Sequence, residues 1–346
     1  MKSLTITSTR TAAGKTTVGL GIALNADKKC GYYKPYGDHL VYSKKDLNDM
    51  DAMVYHDWIG LGDEVKECTL GFDSDKILSH WNPEELTGEL IKNFDCAAEG
   101  RDVLLVESGR NFSFGGFMGL DAITLAETFN SELLVVAEGD VHLILDKVLA
   151  VQKCAEGRAK LRGLVINKVD EEDRERIENE VPPVLDRAGI KLLGILPRQE
   201  YLERGNVQLV MDKLNAKLVA GSDGLQNIIS RVQVGALTAD QAMKIPQFFQ
   251  KDRLLITGGD RVDLIFASLN TDAAGILLTN NILPHPKVIA KADDLNIPIL
   301  SVSMDTYSTA KLVDDIISEI RPEDSEKKDI IKQMAQKELD MEGILG

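Results

Sequence analysis

The sequence predicts an α/β protein: a parallel-sheet domain followed by a smaller α/β domain. Three observations lead there. Short apolar runs recur between helix-length amphipathic stretches, which reads as strands buried on both faces of a parallel sheet. The chain has 346 residues, about twice the usual domain size, so two apolar cores are expected. A small-residue cluster, Ala220-Gly221-Ser222-Asp223-Gly224, interrupts the rhythm as a linker would.

In the first half the strand-like runs are Leu4 to Ile6, Val103 to Val106, Leu133 to Ala137, Leu164 to Ile166 and Leu192 to Ile195. Helical stretches fill the gaps at Lys15 to Leu24, Pro83 to Phe94, His142 to Cys154 and the strongly charged Glu171 to Ala188. A second cycle then begins. It comprises strand Leu254 to Ile256, turn Thr257-Gly258-Gly259, a helix from Arg261, strand Ile276 to Leu278, a helix from Pro286, strand Ile297 to Val302 and a helix from Ser308 to Ile320. The expected domains are residues 1–220 and 225–322, with a charged tail over 323–346. Its weak apolar stripe suits a solvated helix, with a partner-binding helix as the alternative.

A net charge of −15 argues against a general nucleic-acid or anionic-membrane surface, because such binders concentrate Lys and Arg on one face. No apolar run approaches the ~18 residues of a membrane span. Met1-Lys2-Ser3 leads straight into Leu4, without the apolar stretch of a signal peptide, so a cytoplasmic protein is expected. Cys30, Cys68, Cys96 and Cys154 stand far apart, with no C-x-x-C pair, and read as reduced thiols of mixed burial.

The strongest chemical signal lies at the N-terminus. Leu4-Thr5-Ile6-Thr7 supplies a strand, Ser8 to Ala13 a loop, and Gly14-Lys15-Thr16 opens a helix. Backbone N–H groups of such a loop converge with the helix dipole on one spot, which favours phosphate. Lys15 can reach the terminal phosphates and the Thr16 hydroxyl can bind Mg²⁺. Thr9 stands where the G-x-x-x-x-G-K-[ST] pattern has its first Gly. The expected nucleotide contacts are Thr9, Thr11, Ala13, Gly14, Lys15, Thr16 and Thr17.

Ser8-Thr9-Arg10-Thr11-Ala12-Ala13-Gly14-Lys15-Thr16 resembles the opening loop of dethiobiotin synthetases and related SIMIBI-class P-loop proteins. Tyr33-Lys34-Pro35, Met50-Asp51-Ala52, Val106-Glu107-Ser108-Gly109, Gly163-Leu164-Val165-Ile166-Asn167 and Leu193-Gly194-Ile195-Leu196-Pro197 follow in that family's order. The second half resembles the DRTGG domain through Ile256-Thr257-Gly258-Gly259-Asp260-Arg261, Gly275 to Thr279 and Asp305 to Thr309. Together they resemble the N-terminal portion of long phosphate acetyltransferases. With the chain ending at Gly346, the acetyltransferase domain is expected to be absent.

The resemblance implies Mg²⁺ coordination by Thr16, Asp51 and Glu107, and hydroxyl and carboxylate oxygens suit that hard cation. Glu107 ends an apolar strand, where a carboxylate is costly unless it has a cation or donors. Asp51 lies in an acidic stretch, where a solvated carboxylate is the plain alternative. The resemblance assigns Lys34 to the substrate and phosphates; a surface Lys lying along apolar surface is the alternative. It assigns Asn167 to the adenine edge, although Asn167-Lys168-Val169-Asp170 also spells the N-x-x-D by which GTPases read guanine. Asp170 could instead cap the next helix. Arg10 occupies the place of the second, signature Lys of dimeric SIMIBI ATPases, where a guanidinium suits phosphate. Lys15, Arg10 and Lys34 are the expected catalytic groups. Gly258-Gly259-Asp260-Arg261 reads first as a tight turn and helix cap, with an anion at that helix start as the alternative.

These readings favour an ATP-binding regulatory or switch protein with slow ATPase activity, a homodimer, acting on a partner enzyme of acetyl metabolism. A ligase resembling dethiobiotin synthetase is the alternative. Arg10 and the segment Arg110-Asn111-Phe112-Ser113-Phe114 depart from that enzyme's pattern. A non-hydrolysing scaffold with a relic loop is a third reading, disfavoured by the intact Lys15, Thr16 and Glu107.

Overall fold

The strand β1 (Lys2–Ser8) sits in the middle of a parallel sheet because its residues are apolar or small on both faces, and Leu4 and Ile6 are fully buried. The computed structural model describes residues 1–43, 46–61, 69–314, 316 and 319–346. Described residues fall into two units, 1–199 with 320–346, and 200–319.

In the first unit, helix α1 (Lys15–Asn25) follows β1. The chain then makes β2 (Cys30–Tyr33), the antiparallel pair β3 (Leu40–Ser43) and β4 (Asp46–Asp49), and α2 (Met50–Ile59). Next come α3 (Ser74–His80), α4 (Pro83–Ala98), β5 (Val103–Glu107), α5 (Ala122–Thr128), β6 (Glu132–Ala137) and α6 (Val141–Ala155). The series closes with β7 (Leu161–Val169), α7 (Glu171–Glu180), α8 (Pro182–Ala188) and β8 (Leu192–Pro197). The sheet order is β2-β5-β1-β6-β7-β8, all parallel. The order turns back on itself around β1, so the loops after β1 and β5 open side by side at the carboxyl edge, where open α/β sheets bind ligands.

Local chemistry accounts for the helix ends. Asp49, Asp121 and Asp140 cap α2, α5 and α6 through paired backbone N–H bonds, and Asn82 with Glu85 makes a capping box ahead of Pro83 on α4. The single helix expected over Glu171 to Ala188 is two helices, because Pro182 and Pro183 cannot continue the first.

The second unit contains α9 (Glu200–Glu203), β9 (Gly205–Asn206), α10 (Val207–Leu214), β10 (Lys217–Ala220), β11 (Ile228–Ile229) and β12 (Arg231–Val234). It continues through α11 (Ala239–Ala242), β13 (Arg253–Gly258), α12 (Val262–Leu269), β14 (Gly275–Thr279), α13 (Pro286–Asp294), β15 (Ile299–Ser301) and α14 (Thr306–Asp314). Its sheet order is β10-β15-β14-β13-β12, parallel except for β10 at the edge. The small-residue cluster expected to be a linker lies inside this unit. Gly221 N–H donates to Asp293 at 2.7 Å, and β10 pairs with β15. The compact units part at Gln199/Glu200, ahead of α9, β9, α10 and β10.

The charged tail forms α15 (Ser325–Glu338) and α16 (Met341–Leu345) and packs back on the first unit. The solvated face expected there is corrected by burial: Ile331 is 0% exposed, Ala335 1% and Met334 7%. Three apolar side chains spaced i, i+3, i+4 suffice to dock a helix that is otherwise charged. Leu339 bridges to Gly194 on the edge strand β8, and Arg174 pairs with Glu338 at 2.7 Å. Among the described cysteines Cys30 is buried and Cys96 and Cys154 are exposed, all as free thiols; Cys68 lies outside the described residues. No described helix is long and apolar enough to cross a membrane.

Candidate functional site

The loop between β1 and α1 is curled by left-handed backbone at Ala12 (φ 61°) and Gly14 (φ 92°). At Gly14 a Cβ would collide with the Asn167 amide, so this position demands glycine on two counts. Val18 N–H returns to the Gly14 carbonyl at 3.0 Å. The N–H groups of Gly14, Lys15, Thr16 and Thr17 donate no hydrogen bond inside the chain among the described residues, and they open at the start of an 11-residue helix. Such a set of orphan donors, with the helix dipole behind it, is an anion cradle.

Lys15 lies across the cradle. Its Nζ donates to the Arg110 carbonyl at 3.2 Å and lies 3.5 Å from Ser8 Oγ. Burial pushes its ammonium below the ordinary Lys range, partly opposed by Glu107 and Asp38. A group desolvated in this way is energetically ready for a negative ligand. Thr16 Oγ1 donates to Glu107 Oε1 at 3.0 Å, and the Tyr32 hydroxyl to Glu107 Oε2 at 3.2 Å. Glu107 is 2% exposed. Burial, with the Asp51 charge nearby, raises its carboxyl to about 7.

Lys34 is 1% exposed. Its Nζ lies 2.7 Å from Asp38, 3.2 Å from Asp49 and 2.5 Å from Asp51. Burial opposes the charge, but these carboxylates hold the ammonium well above its usual range. The surface-Lys alternative is thereby excluded. Asp51, which burial would raise, is held below the carboxylate range by Lys34 and His39. Asp38, Asp49 and Asp51 offer oxygens within 4.8 Å of one another, a grouping that could hold a cation, and the Lys34 ammonium stands among them.

Thr9 is buried and tied to β6 by its N–H to Val136 O at 3.0 Å; Thr11 is exposed at the loop tip, Ala13 is buried, and Thr17 is half-buried in the first turn of α1. Asn167 Nδ2 donates to the Ala13 carbonyl at 2.9 Å. Asp170 stands at the start of α7 without capping it. Its carboxylate accepts from Arg198 Nε at 2.8 Å instead. Arg10 is exposed and lies 3.9 Å from Glu138. The structure thus brings Lys15, Thr16 and Glu107 into one cluster and Lys34 and Asp51 into another, linked electrostatically through Asp51 and Glu107.

Sequence reasoning missed Glu138, Asp49 and Asp38. Glu138 directly follows an apolar strand, much as Glu107 ends one, so the same signal would have found it. Asp49 and Asp38 are identifiable only once the chain folds around Lys34.

Residues 2–206 match the AAA domain family, across more than half of the chain. The chain belongs to that family. The AAA domain is followed by a DRTGG domain, matched over residues 209–316. Both are part of a mixed α/β fold with parallel sheets, a P-loop ATPase-like domain joined to DRTGG. Phosphate acetyltransferase from Pseudomonas putida is 27% identical over 77% of this chain and 40% of its own length. Its counterpart from Pseudomonas aeruginosa is 25% identical over 99% of this chain and 51% of its own length. The chain therefore spans about half the length of the curated relatives it matches. Cobyrinic acid a,c-diamide synthase from Mycobacterium smegmatis, solved with ADP and magnesium, is 16% identical, with 57% of this chain and 87% of that one covered at a TM-score of 0.32.

Proposed function

We propose that the AAA domain binds ATP with Mg²⁺ and that the chain is a nucleotide-dependent regulatory protein with slow ATPase activity. The observation that carries this reading is the cradle of orphan N–H groups from Gly14 to Thr17 with the desolvated Lys15 beside it. Anions at such a site gain both hydrogen bonds and dipole stabilisation.

The donor set fits a hard divalent cation. Thr16 and Glu107 already meet at 3.0 Å, and Glu107 is a buried carboxyl raised by its surroundings, which a cation would relieve. Asp51 would join them after leaving Lys34. When bound, the cation would neutralise charge on the phosphates. Lys15 would hold the terminal phosphates, the loop N–H groups would orient them, and Arg10 would reach the charge that develops on transfer.

Adenine over guanine follows from the family role of Asn167. The Arg198–Asp170 ion pair supports this choice, since it occupies the carboxylate that the guanine pattern requires. Lys34, committed to three carboxylates, supports the switch over a ligase, which would need that ammonium at its substrate. The domains proposed are the P-loop and DRTGG modules. A homodimer in the cytoplasm, acting on an enzyme of acetyl metabolism, completes the reading.

Calorimetric titration of the wild type and Lys15→Ala with Mg-ATP and with Mg-GTP tests it. The wild type should take up ATP more tightly than GTP, and Lys15→Ala should lose most of its affinity. Equal affinity of the two proteins would sink the assignment.

A further inference from the structure

The parallel register of β1 and β6 pairs Ser8 with Val136. Two residues further on each strand's path lie Arg10 and Glu138, and they meet: Arg10 Nε is 3.9 Å from Glu138 Oε2. Glu138 is 8% exposed, and its Oε2 has no hydrogen-bond partner among the described residues. Two more cations stand at similar range, Lys168 at 4.0 Å and Arg198 at 3.7 Å. A buried carboxylate is thus ringed by three cations, and its Oε2 accepts no hydrogen bond among the described residues.

The three cations are not equivalent. Arg198 is engaged at 2.8 Å by Asp170, and Lys168 is set by an irregularity within β7, where its own φ is 57° and the pairing with β8 shifts register. Arg10 is different: its side chain is 54% exposed and it belongs to the loop whose N–H groups form the anion cradle. An ion pair this exposed and this long is weak. A polyphosphate carries several charges and matches a guanidinium better than one carboxylate at 3.9 Å does. When Arg10 leaves, Glu138 keeps Lys168 and Arg198.

We infer that Glu138 is a positioning residue that restrains Arg10 beside β6 and surrenders it to the phosphates of an incoming nucleoside triphosphate. The inference rests on the proposed nucleotide site and deepens it. Arg10 exchanges one anion for another, so the affinity gained from the phosphates is offset by the pair that is given up. Neutralising Glu138 removes the competitor and leaves the guanidinium free for phosphate.

The test is a double-mutant cycle on the full chain, using Mg²⁺ and a non-hydrolysable ATP analogue in calorimetry at low salt. Glu138→Gln should bind the analogue about two- to fivefold more tightly than the wild type, the fold-change of an exposed ion pair. The gain should vanish in the Arg10→Ala background and shrink as salt is added. Unchanged or weaker binding by a folded Glu138→Gln overturns the inference, as does a gain that persists without Arg10. A wild type that binds no analogue overturns the nucleotide site itself, which separates the two failures.

If Glu138→Gln does not fold, the wild type still decides. The Arg10 side-chain Nε–H resonance, assigned by its loss in Arg10→Ala, should move on titration with the analogue. A resonance that stays fixed while the analogue binds overturns the inference.

Discussion

The side-chain amide of Asn167 donates to the carbonyl of Ala13 at 2.9 Å, joining the end of β7 to the loop that precedes α1. This bond is buried, with Asn167 3% exposed, and it lies against the one glycine whose Cβ would strike it. Losing it would leave the Ala13 carbonyl without its side-chain donor and the loop less ordered. Asn167→Ala should therefore weaken GTP by about tenfold, the scale of one buried hydrogen bond, and ATP further, since ATP also loses the proposed contact to its adenine. Competition binding with both nucleotides checks this. A loss confined to ATP would mean that the amide acts only on the base.

Arg10→Ala separates binding from turnover. Hydrolysis builds charge on the bridging region of the phosphates, where an added guanidinium lowers the barrier. The variant should bind ATP almost normally, because the phosphate contact it loses is offset by the Glu138 pair that no longer has to be given up. It should hydrolyse ATP about a hundredfold more slowly, because the charge that develops on transfer then lacks its guanidinium. If Arg10 acts across a dimer, wild-type specific activity should rise with protein concentration. Steady-state rates beside binding constants, at several concentrations, decide both points. Unchanged turnover would reduce Arg10 to an exposed loop residue.

Glu107 sets a pH dependence with a definite sign. Its carboxyl, ordinarily 4.5, is raised to about 7 by burial and the neighbouring Asp51. Between these values the folded chain holds a proton that the unfolded chain has released, so this group's contribution to stability falls as pH rises through that window. Glu107→Gln cannot ionise. Without nucleotide it should melt higher than the wild type at pH 8 and nearly alike at pH 4.5, while losing Mg²⁺-dependent ATP binding. Thermal unfolding across pH, followed by ATP titration with and without Mg²⁺, is the measurement. A wild type that grows more stable from pH 5 to 8 relative to the variant would contradict the assignment.

The tail helix α15 meets α1 where Gly21 faces Ala335. A Cβ on Gly21 would stand 2.6 Å from that of Ala335, closer than two carbons tolerate. Enlarging Ala335 therefore overpacks a contact one helical turn and a half from the phosphate loop. Ala335→Leu should cost about 1–3 kcal/mol of stability, whereas Lys332→Leu on the exposed face should cost little. Denaturant unfolding of both variants distinguishes a packed helix from a solvated one. Equal stability would return α15 to the surface role its charge first suggested.

Much of the fold was legible in residue order. Val103 to Val106, Leu133 to Ala137 and Leu164 to Ile166 are apolar without alternation, and buried parallel strands favour that pattern. The loop chemistry was also local, since Gly14, Lys15 and Thr16 work through the backbone that carries them. β2, β10 and β12 escaped notice because their residues are mixed, and their pairing partners supply what their own pattern lacks.

What the sequence by itself determined is the alternation of the central buried strands with helices, the anion cradle after β1, and a carboxylate at the end of β5 that had to be compensated. Only the tertiary structure decided the partners. Lys34 is caged by Asp38, Asp49 and Asp51, Asn167 serves the loop, Asp170 pairs with Arg198 in place of capping α7, and a charged tail docks by three apolar side chains. The physical reason is range. Backbone geometry and apolar periodicity act between near neighbours in sequence, whereas the energy of a buried charge depends on whatever the fold brings within about 4 Å of it, and that is a property of the assembled sheet.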